Sequence, residues 1–323
     1  MTARLYHRDQ PSSPALTFST GNTDAHWISL VAVLKGCLVS GYGVQPPAGW
    51  ELIAEGASYL VLRNGSHSGY VCLSHSTTVV TISVAETYTG VSAGLIQGAG
   101  AKSGVATGST IPHKFMARFF AYATGNSSWF VVADANTFVL GKTGTGSSSE
   151  QELVGSNGSV YAQATVYVGE DAAGNFIACG GDNTTNTGIT AVAQRFSTGF
   201  TALRDPATGL LVDSGALNFA FPGMHSVDLI ATGHTAVIPD ARLVPMLWTS
   251  GGAVSRLRGV CMEPRIGLSS CSVGAQMLGY PGPLMSRTAH TPIDLGDGFN
   301  YVIAPRYSGN GTLFLVTDNP EFW

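Results

Sequence analysis

Histidine, serine and acidic side chains are the residues of this sequence that could carry out chemistry, and their spacing limits which chemistry is open to them. The eight histidines include His67 and His75, whose separation is too wide for the H-x3-H or HExxH pattern of a specific metal site. No CxxC pair accompanies them. The sequence therefore predicts no protein-held metal and no cofactor.

The loop at residues 65–69 (GSHSG) is similar to a nucleophile elbow only in outline. That motif needs Ser at its middle position on a strand–helix turn, whereas His67 stands there, between two strand-like runs. Paired acids occur at Glu170-Asp171 and at Asp294 and Asp297, in turns where solvated carboxylates are usual. A glycoside-hydrolase pair or a Ca²⁺ site is thus not favoured. We expect no catalytic residues and no enzyme.

The charge content is unusually low for a chain of this length. Of 323 residues 11% are charged, against about 25% in ordinary soluble domains, and 41 are Gly. The net charge of −4 and the lack of a basic stripe argue against nucleic acid as a partner. A large surface with few charges favours burial against neighbouring subunits, and an adhesive extracellular β protein is the alternative. We therefore expect the protein to bind other copies of itself.

Targeting signals are not evident in the sequence. No apolar run reaches about 18 residues, so no membrane span is predicted. The first ten residues carry several charges and no apolar stretch, so no secretory signal is predicted. Five cysteines in such a chain are expected to be reduced thiols, and a disulfide between Cys261 and Cys271 is the less favoured alternative.

Strand signals dominate the chain. Four pairs of apolar, β-branched runs flank short turn segments, which is the pattern of β-hairpins. The pairs are residues 58–63 with 70–73, 129–133 with 137–140, 160–168 with 175–179, and 301–307 with 312–317. Helical signals are weak, and Pro245 interrupts the helix-like content of residues 240–248. The sequence predicts an all-β protein with two β-sandwich or barrel-like domains, hairpins and long Gly/Ser loops.

A Gly- and Ser-rich segment suggests where the chain divides. Residues 141–159 (GKTGTGSSSEQELVGSNGS) contain little apolar material, which is typical of a linker. We therefore predict an N-terminal arm at residues 1–28, a β domain at 29–145, a linker at 146–159 and a second β domain at 160–323.

The segment LKGCLVSGYGVQPPAGW, residues 34–50, predicts a strand followed by a tight structural corner. Its two Gly residues on either side of a Tyr permit unusual φ, its two Pro residues stiffen the exit, and its Cys is expected to face the core. The corner residues are Cys37, Gly41, Tyr42, Gly43, Pro46, Pro47 and Trp50.

Two further rings, Trp129 and Trp248, are candidate interface or sugar-stacking aromatics. A flat ring can stack on a pyranose face, and Tyr42 and Trp50 are open to the same interpretation. The competing interpretation is that such rings fill a β core or a subunit interface.

The segment at residues 34–50 resembles the run LKACLVDGYG…PAAGW of a family of structural proteins encoded by tailed bacteriophages. Four later segments resemble that family in the same order: LVLRNG at 60–65, the hairpin with Trp129, Asp134 and Phe138, RLRGVCMEP at 256–264, and the closing strand that ends in Trp323. The chain departs from the family pattern at residues 90–110 and lacks a Pro after Gly259.

The resemblance implies a component of the virion and brings no catalytic residues with it. The leading hypothesis is a non-enzymatic structural protein of the tail, baseplate or neck, made in the bacterial host cytoplasm, that contacts itself and other virion proteins. The alternatives are a receptor-binding module at the tail tip that recognises a host-surface glycan, or a capsid decoration protein. A host-surface depolymerase would need two carboxylates in a cleft.

Overall fold

The computed structural model describes residues 2–18, 23–76, 79–103, 114–115, 125–126, 128–143, 164–180, 200–205, 208–210, 243–250, 253–262, 291–303 and 315–323. Within these ranges the chain is mainly antiparallel β-sheet with one α-helix, so the prediction of an all-β fold is confirmed.

The elements follow one another in a strand-rich order, and most of the helix lies near the N-terminus. They are β1 (Arg4–His7), β2 (Thr17–Phe18), α1 (Thr23–Lys35), β3 (Glu51–Gly56), β4 (Tyr59–Arg63), β5 (Tyr70–Ser76), β6 (Val79–Ala85), β7 (Gly90–Ser92), β8 (Leu95–Gln97), β9 (Lys102–Ser103), β10 (Lys114–Phe115), β11 (Gly125–Asn126), β12 (Ser128–Ala133), β13 (Thr137–Thr143), β14 (Ala164–Glu170), β15 (Phe176–Gly180), β16 (Phe200–Ala202), β17 (Val244–Ser250), β18 (Ala253–Met262), β19 (Ile293–Asp294), β20 (Asn300–Ile303) and β21 (Leu315–Thr317). A π-helical turn (Gly36–Ser40) extends α1, and a 3-10 turn (Pro320–Phe322) follows β21.

Three larger sheets carry most of these strands. The first sheet has the order β1-β12-β13-β14-β15-β16, the second β10-β6-β5-β4-β3 with β9 also on β6, and the third β17-β18-β21-β20-β19. Two-stranded pairs join β2 to β11 and β7 to β8. The four predicted hairpins correspond to the antiparallel pairs β4–β5, β12–β13, β14–β15 and β20–β21.

The helix α1 is formed by a nearly continuous apolar run, and most of its surface is buried in the core that it shares with the first two sheets. Trp27, Leu30 and Leu34 are buried, while Ile28 is two-thirds exposed on the other side. An acid, Asp24, lies in the first turn and a base, Lys35, in the last, as the helix dipole favours. The predicted arm at residues 1–28 thus contributes β1 to a sheet and the start of α1.

The main core lies between α1, the first sheet and one face of the second sheet. In the second sheet, residues opposite one another in register share a face, and Leu60, Leu62, Leu73 and Ile82 all point into this core. The helix packs on the same face, where Trp27 stacks on His75 with ring centroids 5.8 Å apart. Burial of this continuous set of apolar side chains is the main stabilising term of the fold.

Both faces of the first sheet are buried. Val131 and Leu140 point into the main core, while Phe130, Val139 and Tyr167 belong to alternate positions and are equally inaccessible. The third sheet contacts this region, since Ala172 N–H donates to the Arg256 carbonyl over 3.0 Å.

The first sheet contains strands from both sides of the predicted linker. Strands β13 and β14 lie on either side of residues 146–159 and pair over six positions, from Thr137 with Gly169 to Lys142 with Ala164. One sheet therefore draws its strands from both predicted domains. No described helix is long and apolar enough to cross a membrane.

Candidate functional site

The predicted corner is present, but it follows a helix rather than a strand. Residues 34–40 form the end of α1 and the π-helical turn, so the prediction of a strand there was wrong. The apolar run is buried against sheets on two sides, which hides the periodicity that would otherwise indicate a helix. The buried Cys37 faces the core as predicted, and burial raises the pKa of its thiol well above the usual range.

The tight turn after the helix depends on glycine. Gly41 and Gly43 have φ of +74° and +53°, and a Cβ on Gly41 would lie 2.5 Å from the Gln45 carbonyl oxygen. Tyr42 and Gln45 exchange two backbone hydrogen bonds, of 3.0 and 2.8 Å, which close the turn. The Tyr6 hydroxyl donates to the Pro46 carbonyl over 2.8 Å and fixes the corner to β1.

The chain that follows the corner first contacts the end of the helix and then the first sheet. Ala48 N–H donates to the Cys37 carbonyl over 2.9 Å, which holds the chain beyond Pro47. The Trp50 ring, 3% exposed, packs edge-on against Phe138 with centroids 5.1 Å apart. Its indole N–H donates over 3.0 Å to the carbonyl of Asp134.

Asp134 lies in the loop between β12 and β13, and we call Asp134–Asn136 the Asp134 turn. One carboxylate oxygen of Asp134 accepts hydrogen bonds from the backbone N–H groups of Asn136 and Thr137, over 2.8 and 2.9 Å. This Asx-type arrangement is the local reason for the hairpin. The Asp134 side chain is nevertheless almost fully buried, unlike the solvated carboxylate of an ordinary surface turn.

The second motif segment, LVLRNG, meets the Asp134 turn through its glycine. Gly65 N–H donates over 2.7 Å to the Ala135 carbonyl, and a Cβ on Gly65 would lie 2.9 Å from the Ala135 Cβ. Gly49 approaches Ala135 from the corner, with its own Cβ position 3.2 Å away. Small residues are therefore needed on both sides of this turn.

The fourth segment, RLRGVCMEP, provides the positive charge that pairs with the Asp134 carboxylate. Arg258 on β18 donates over 2.5 Å to the second carboxylate oxygen of Asp134 and over 3.3 Å to the Thr137 hydroxyl. The two side chains of this ion pair are 15% and 3% exposed, so water screens them little. The Arg258 backbone N–H donates to the Tyr167 hydroxyl, which itself donates to the Glu170 carbonyl over 2.6 Å.

The terminal tryptophan completes the arrangement. The Arg258 guanidinium carbon lies 5.5 Å from the Trp323 ring centroid, within cation–π distance. The ring covers Gly259, where a Cβ would come within 2.4 Å of a ring carbon. The Trp323 indole N–H donates to the Thr317 carbonyl over 2.6 Å.

The Asp134 turn, which belongs to the third of the five segments, is thus contacted by the first, second and fourth, and the fifth is joined to it through Arg258. Asp134 itself accepts from Trp50 and Arg258, Ala135 is enclosed by two glycines, and Trp323 covers Arg258. Every contact is a hydrogen bond, an ion pair or ring packing within the chain. Chemically this arrangement can hold distant segments together, and it offers no exposed nucleophile or proton donor.

The residues considered for catalysis are engaged in structural contacts. In the GSHSG loop His67 has φ of +62° and its Nε2 lies 3.0 Å from a Glu51 oxygen. Ser66 donates to Glu170. Asp171 is 2% exposed and accepts from the Trp248 indole over 3.0 Å, so the expectation of a solvated carboxylate was wrong there.

Three of the four rings considered for sugar stacking are buried. Trp129 and Trp248 are both fully buried, which agrees with the interpretation that they fill β-sheet cores and contradicts sugar stacking. The Trp129 indole donates to the Pro14 carbonyl over 3.2 Å. Tyr42 is partly buried, and its hydroxyl donates to the Gln10 side chain over 2.5 Å.

The cysteines and acids contribute no metal site to the described part of the chain. Cys37, Cys72, Cys179 and Cys261 are free and buried, while Cys271 lies outside the described residues. Among the described residues, no group of three or more His, Cys, Asp and Glu side chains could hold a metal ion. Asp297 binds the Tyr301 hydroxyl over 2.5 Å instead.

Sequence reasoning missed the ion pair of Asp134 with Arg258, because nothing in either segment indicates that they meet. It also missed a group of half-buried tyrosines on the second sheet, Tyr59, Tyr70 and Tyr88. The alternation of Tyr59, Val61 and Arg63 along β4 was the available signal for a second, partly apolar face.

No protein-family model matches the chain, and no curated protein is significantly similar to it. The resemblance to phage structural proteins therefore depends on the five segments and their order.

Proposed function

We propose that the protein is a non-enzymatic structural component of a tailed-phage particle, located in the tail, baseplate or neck, that assembles through symmetric subunit contacts. The observation that carries the proposal is that three motif segments contact the Asp134 turn of a fourth, and that the last segment packs on Arg258 beside it. Motifs that encode a scaffold are expected to meet in packing contacts, whereas motifs that encode a reaction are expected to present reactive groups to a cleft.

The composition supports the same function. A chain of 323 residues with 11% charged side chains has few groups that keep its surface soluble by itself. Contact with neighbouring subunits covers such a surface in an assembled particle. The free and buried thiols fit synthesis in the reducing cytoplasm of the bacterial host.

The residues considered for the two alternative activities are mostly engaged in contacts within the chain. Of the four rings considered for a glycan-recognition module, Trp50, Trp129 and Trp248 are buried and Tyr42 is partly buried. Of the acids considered for a depolymerase, Asp171 is enclosed beneath Trp248, Glu170 accepts from Asn136 over 3.0 Å, and the exposed Asp297 accepts from the Tyr301 hydroxyl. No specific observation favours either alternative over a scaffold.

Mass spectrometry and immunogold electron microscopy of purified particles test the proposal. The sample is the phage whose genome carries this reading frame, and the antibody is raised against the purified chain. We expect the chain in washed particles, with label at the tail, baseplate or neck. Its absence from particles, despite expression in infected cells, would contradict the proposal, and label on the head would move it to capsid decoration.

A further inference from the structure

Three tyrosines lie on the face of the second sheet that points away from the main core. Tyr59 on β4 and Tyr70 on β5 share this face by register, and Tyr88 follows β6. The rings of Tyr70 and Tyr88 stack with centroids 6.2 Å apart at 24°. We call Tyr59, Tyr70, Tyr88, Arg63 and Glu51 the tyrosine face.

This face is only half covered by the chain itself. A small buried cluster of Val61, Cys72, Ala85 and Ile96 lies beneath it, and the β7–β8 pair covers that cluster from one side. The three tyrosines pack on the same cluster and remain partly exposed, together with Ile53 next to the sheet edge. The result is a half-buried surface rich in aromatic rings, and aromatic residues are enriched where proteins contact one another.

A fixed pair of opposite charges belongs to the same face. Arg63 donates over 2.9 Å to Glu51, and its guanidinium carbon lies 5.7 Å from the Tyr70 ring centroid. The side chains of Arg63 and Glu51 are 26% and 42% exposed, so both remain accessible to a partner. Because they are already held in place, little side-chain entropy is lost when a partner binds.

We propose that the tyrosine face binds the tyrosine face of a second copy of this chain about a two-fold axis. This inference rests on the proposed function, which requires symmetric self-contact. Tyr and Arg are the residue types that dominate the centres of protein interfaces. A two-fold axis that lies in the interface and crosses the line from Glu51 to Arg63 at a right angle brings Glu51 of one copy opposite Arg63 of the other. We propose this orientation, because in it the charges of the face are self-complementary.

The contacts of Tyr70 within the chain make a glycan a less suitable ligand for the tyrosine face than a second copy of the protein. The Tyr70 ring is in contact with both the Arg63 guanidinium and Tyr88 within the chain. A sugar that stacked on Tyr70 would have to displace one of these partners, whereas a second copy adds contacts around them.

Sedimentation velocity and light scattering of the full chain over a concentration series test the inference. We expect wild type to associate, and Tyr70→Ser with Tyr88→Ser to weaken association about tenfold or more. The matched control is Ile28→Ser with Val254→Ser, which changes two apolar side chains that are 66% and 62% exposed elsewhere. The control is expected to associate as wild type does.

A charge-swap mixture separates a contact from a folding defect. Glu51→Arg gives a face with two positive charges and Arg63→Glu gives one with two negative charges, so each variant alone is expected to associate weakly. An equimolar mixture is expected to form a mixed dimer, which a variant that merely fails to fold cannot do.

The outcomes distinguish the inference from the proposed function. Wild type that stays monomeric at its highest soluble concentration contradicts both. Association that survives both the tyrosine variant and the charge swaps overturns the tyrosine face as the contact and leaves the proposed function standing. If the tyrosine variant does not fold, the mixing experiment decides: no mixed dimer overturns the inference.

Discussion

The Asp134 turn and the tyrosine face use the same chemical arrangement in two different surroundings. In each, an arginine pairs with a carboxylate and lies over an aromatic ring: Arg258 with Asp134 and Trp323, and Arg63 with Glu51 and Tyr70. The first pair is nearly buried and the second is open to water. The same arrangement therefore holds the chain together in one place and prepares a surface for contact in the other.

Burial decides the energetic role of each pair. Removing one partner of a buried ion pair leaves a charge without solvent or countercharge, whereas water replaces the lost partner at an exposed pair. The comparison predicts that substitutions at the Asp134 turn affect unfolding and that those at the tyrosine face affect association.

The largest expected effect is that of Asp134→Ala. The change leaves Arg258 without its countercharge and two backbone N–H groups of the turn without an acceptor, which is expected to cost about 3–5 kcal/mol of unfolding free energy. Urea unfolding followed by circular dichroism measures it. Glu51→Ala at the exposed pair is the control and is expected to leave the unfolding midpoint nearly unchanged. Equal effects of the two substitutions would refute the comparison.

Gly259→Ala is expected to have the next largest effect. Gly259 has φ of +69° and lies under the Trp323 ring, so a methyl group strains the backbone and displaces the ring that covers Arg258. Gly298→Ala is matched to it, since Gly298 has φ of +83° with open space around it. We expect a loss of about 2–3 kcal/mol for the first and about 1 kcal/mol for the second. Unfolding curves that coincide would show that the ring contact contributes nothing.

A buried histidine on helix α1 is expected to make the protein sensitive to acid. Burial, and then the nearby charge of Lys142, lower the pKa of His26 to about 2 from its ordinary 6.5. The unfolded chain therefore takes up a proton below pH 6.5 that the folded chain does not, so stability is lost as pH falls. This histidine accounts for about 2 kcal/mol between pH 7.5 and pH 5.

Urea midpoints at pH 7.5, 6.5, 5.8 and 5 in wild type and in His26→Asn measure this effect. The variant is expected to show a flatter profile over that range, because Asn does not titrate. If the urea midpoints of wild type and variant fall in parallel as the pH is lowered, His26 is not the group that causes the acid sensitivity.

The smallest expected effect is that of Trp50→Phe. The substitution keeps a ring against Phe138 but removes the indole N–H that donates to the Asp134 carbonyl, which is expected to cost about 1 kcal/mol. Trp50→Phe in the Asp134→Ala background tests coupling between the two sites. Strictly additive losses would show that Trp50 acts independently of the turn.

Local signals in the sequence predicted much of the β structure and little of its assembly. The hairpin at Asp134 follows from β-branched runs and an Asx turn within ten residues, so it was predictable. The helix α1 was missed because both sheets pack on it, and a helix buried on most sides shows a nearly continuous apolar run. The corner at Gly41 and Gly43 was recognisable, since glycines around a tyrosine indicate positive φ.

The candidate site and the tyrosine face depend on contacts that local sequence cannot indicate. The ion pair of Arg258 and Asp134 joins residues 124 apart in the chain. Likewise the exposure of Tyr70 depends on how much of the sheet β7 and β8 cover, which follows from loop paths rather than from strand pattern. The sequence also left open whether Trp129 and Trp248 stack on sugars or fill a core, because a ring type does not reveal which side of a sheet is covered. The structure buries both rings.

By itself the sequence determined the strands of the hairpins, their turns and the corner glycines Gly41 and Gly43, because these depend on dihedral preferences and on neighbours a few residues away. The tertiary structure alone decided which carboxylate meets which arginine and which aromatic face stays open. Those outcomes depend on the packing of whole sheets, whose free energy is a sum over contacts between residues far apart in the chain.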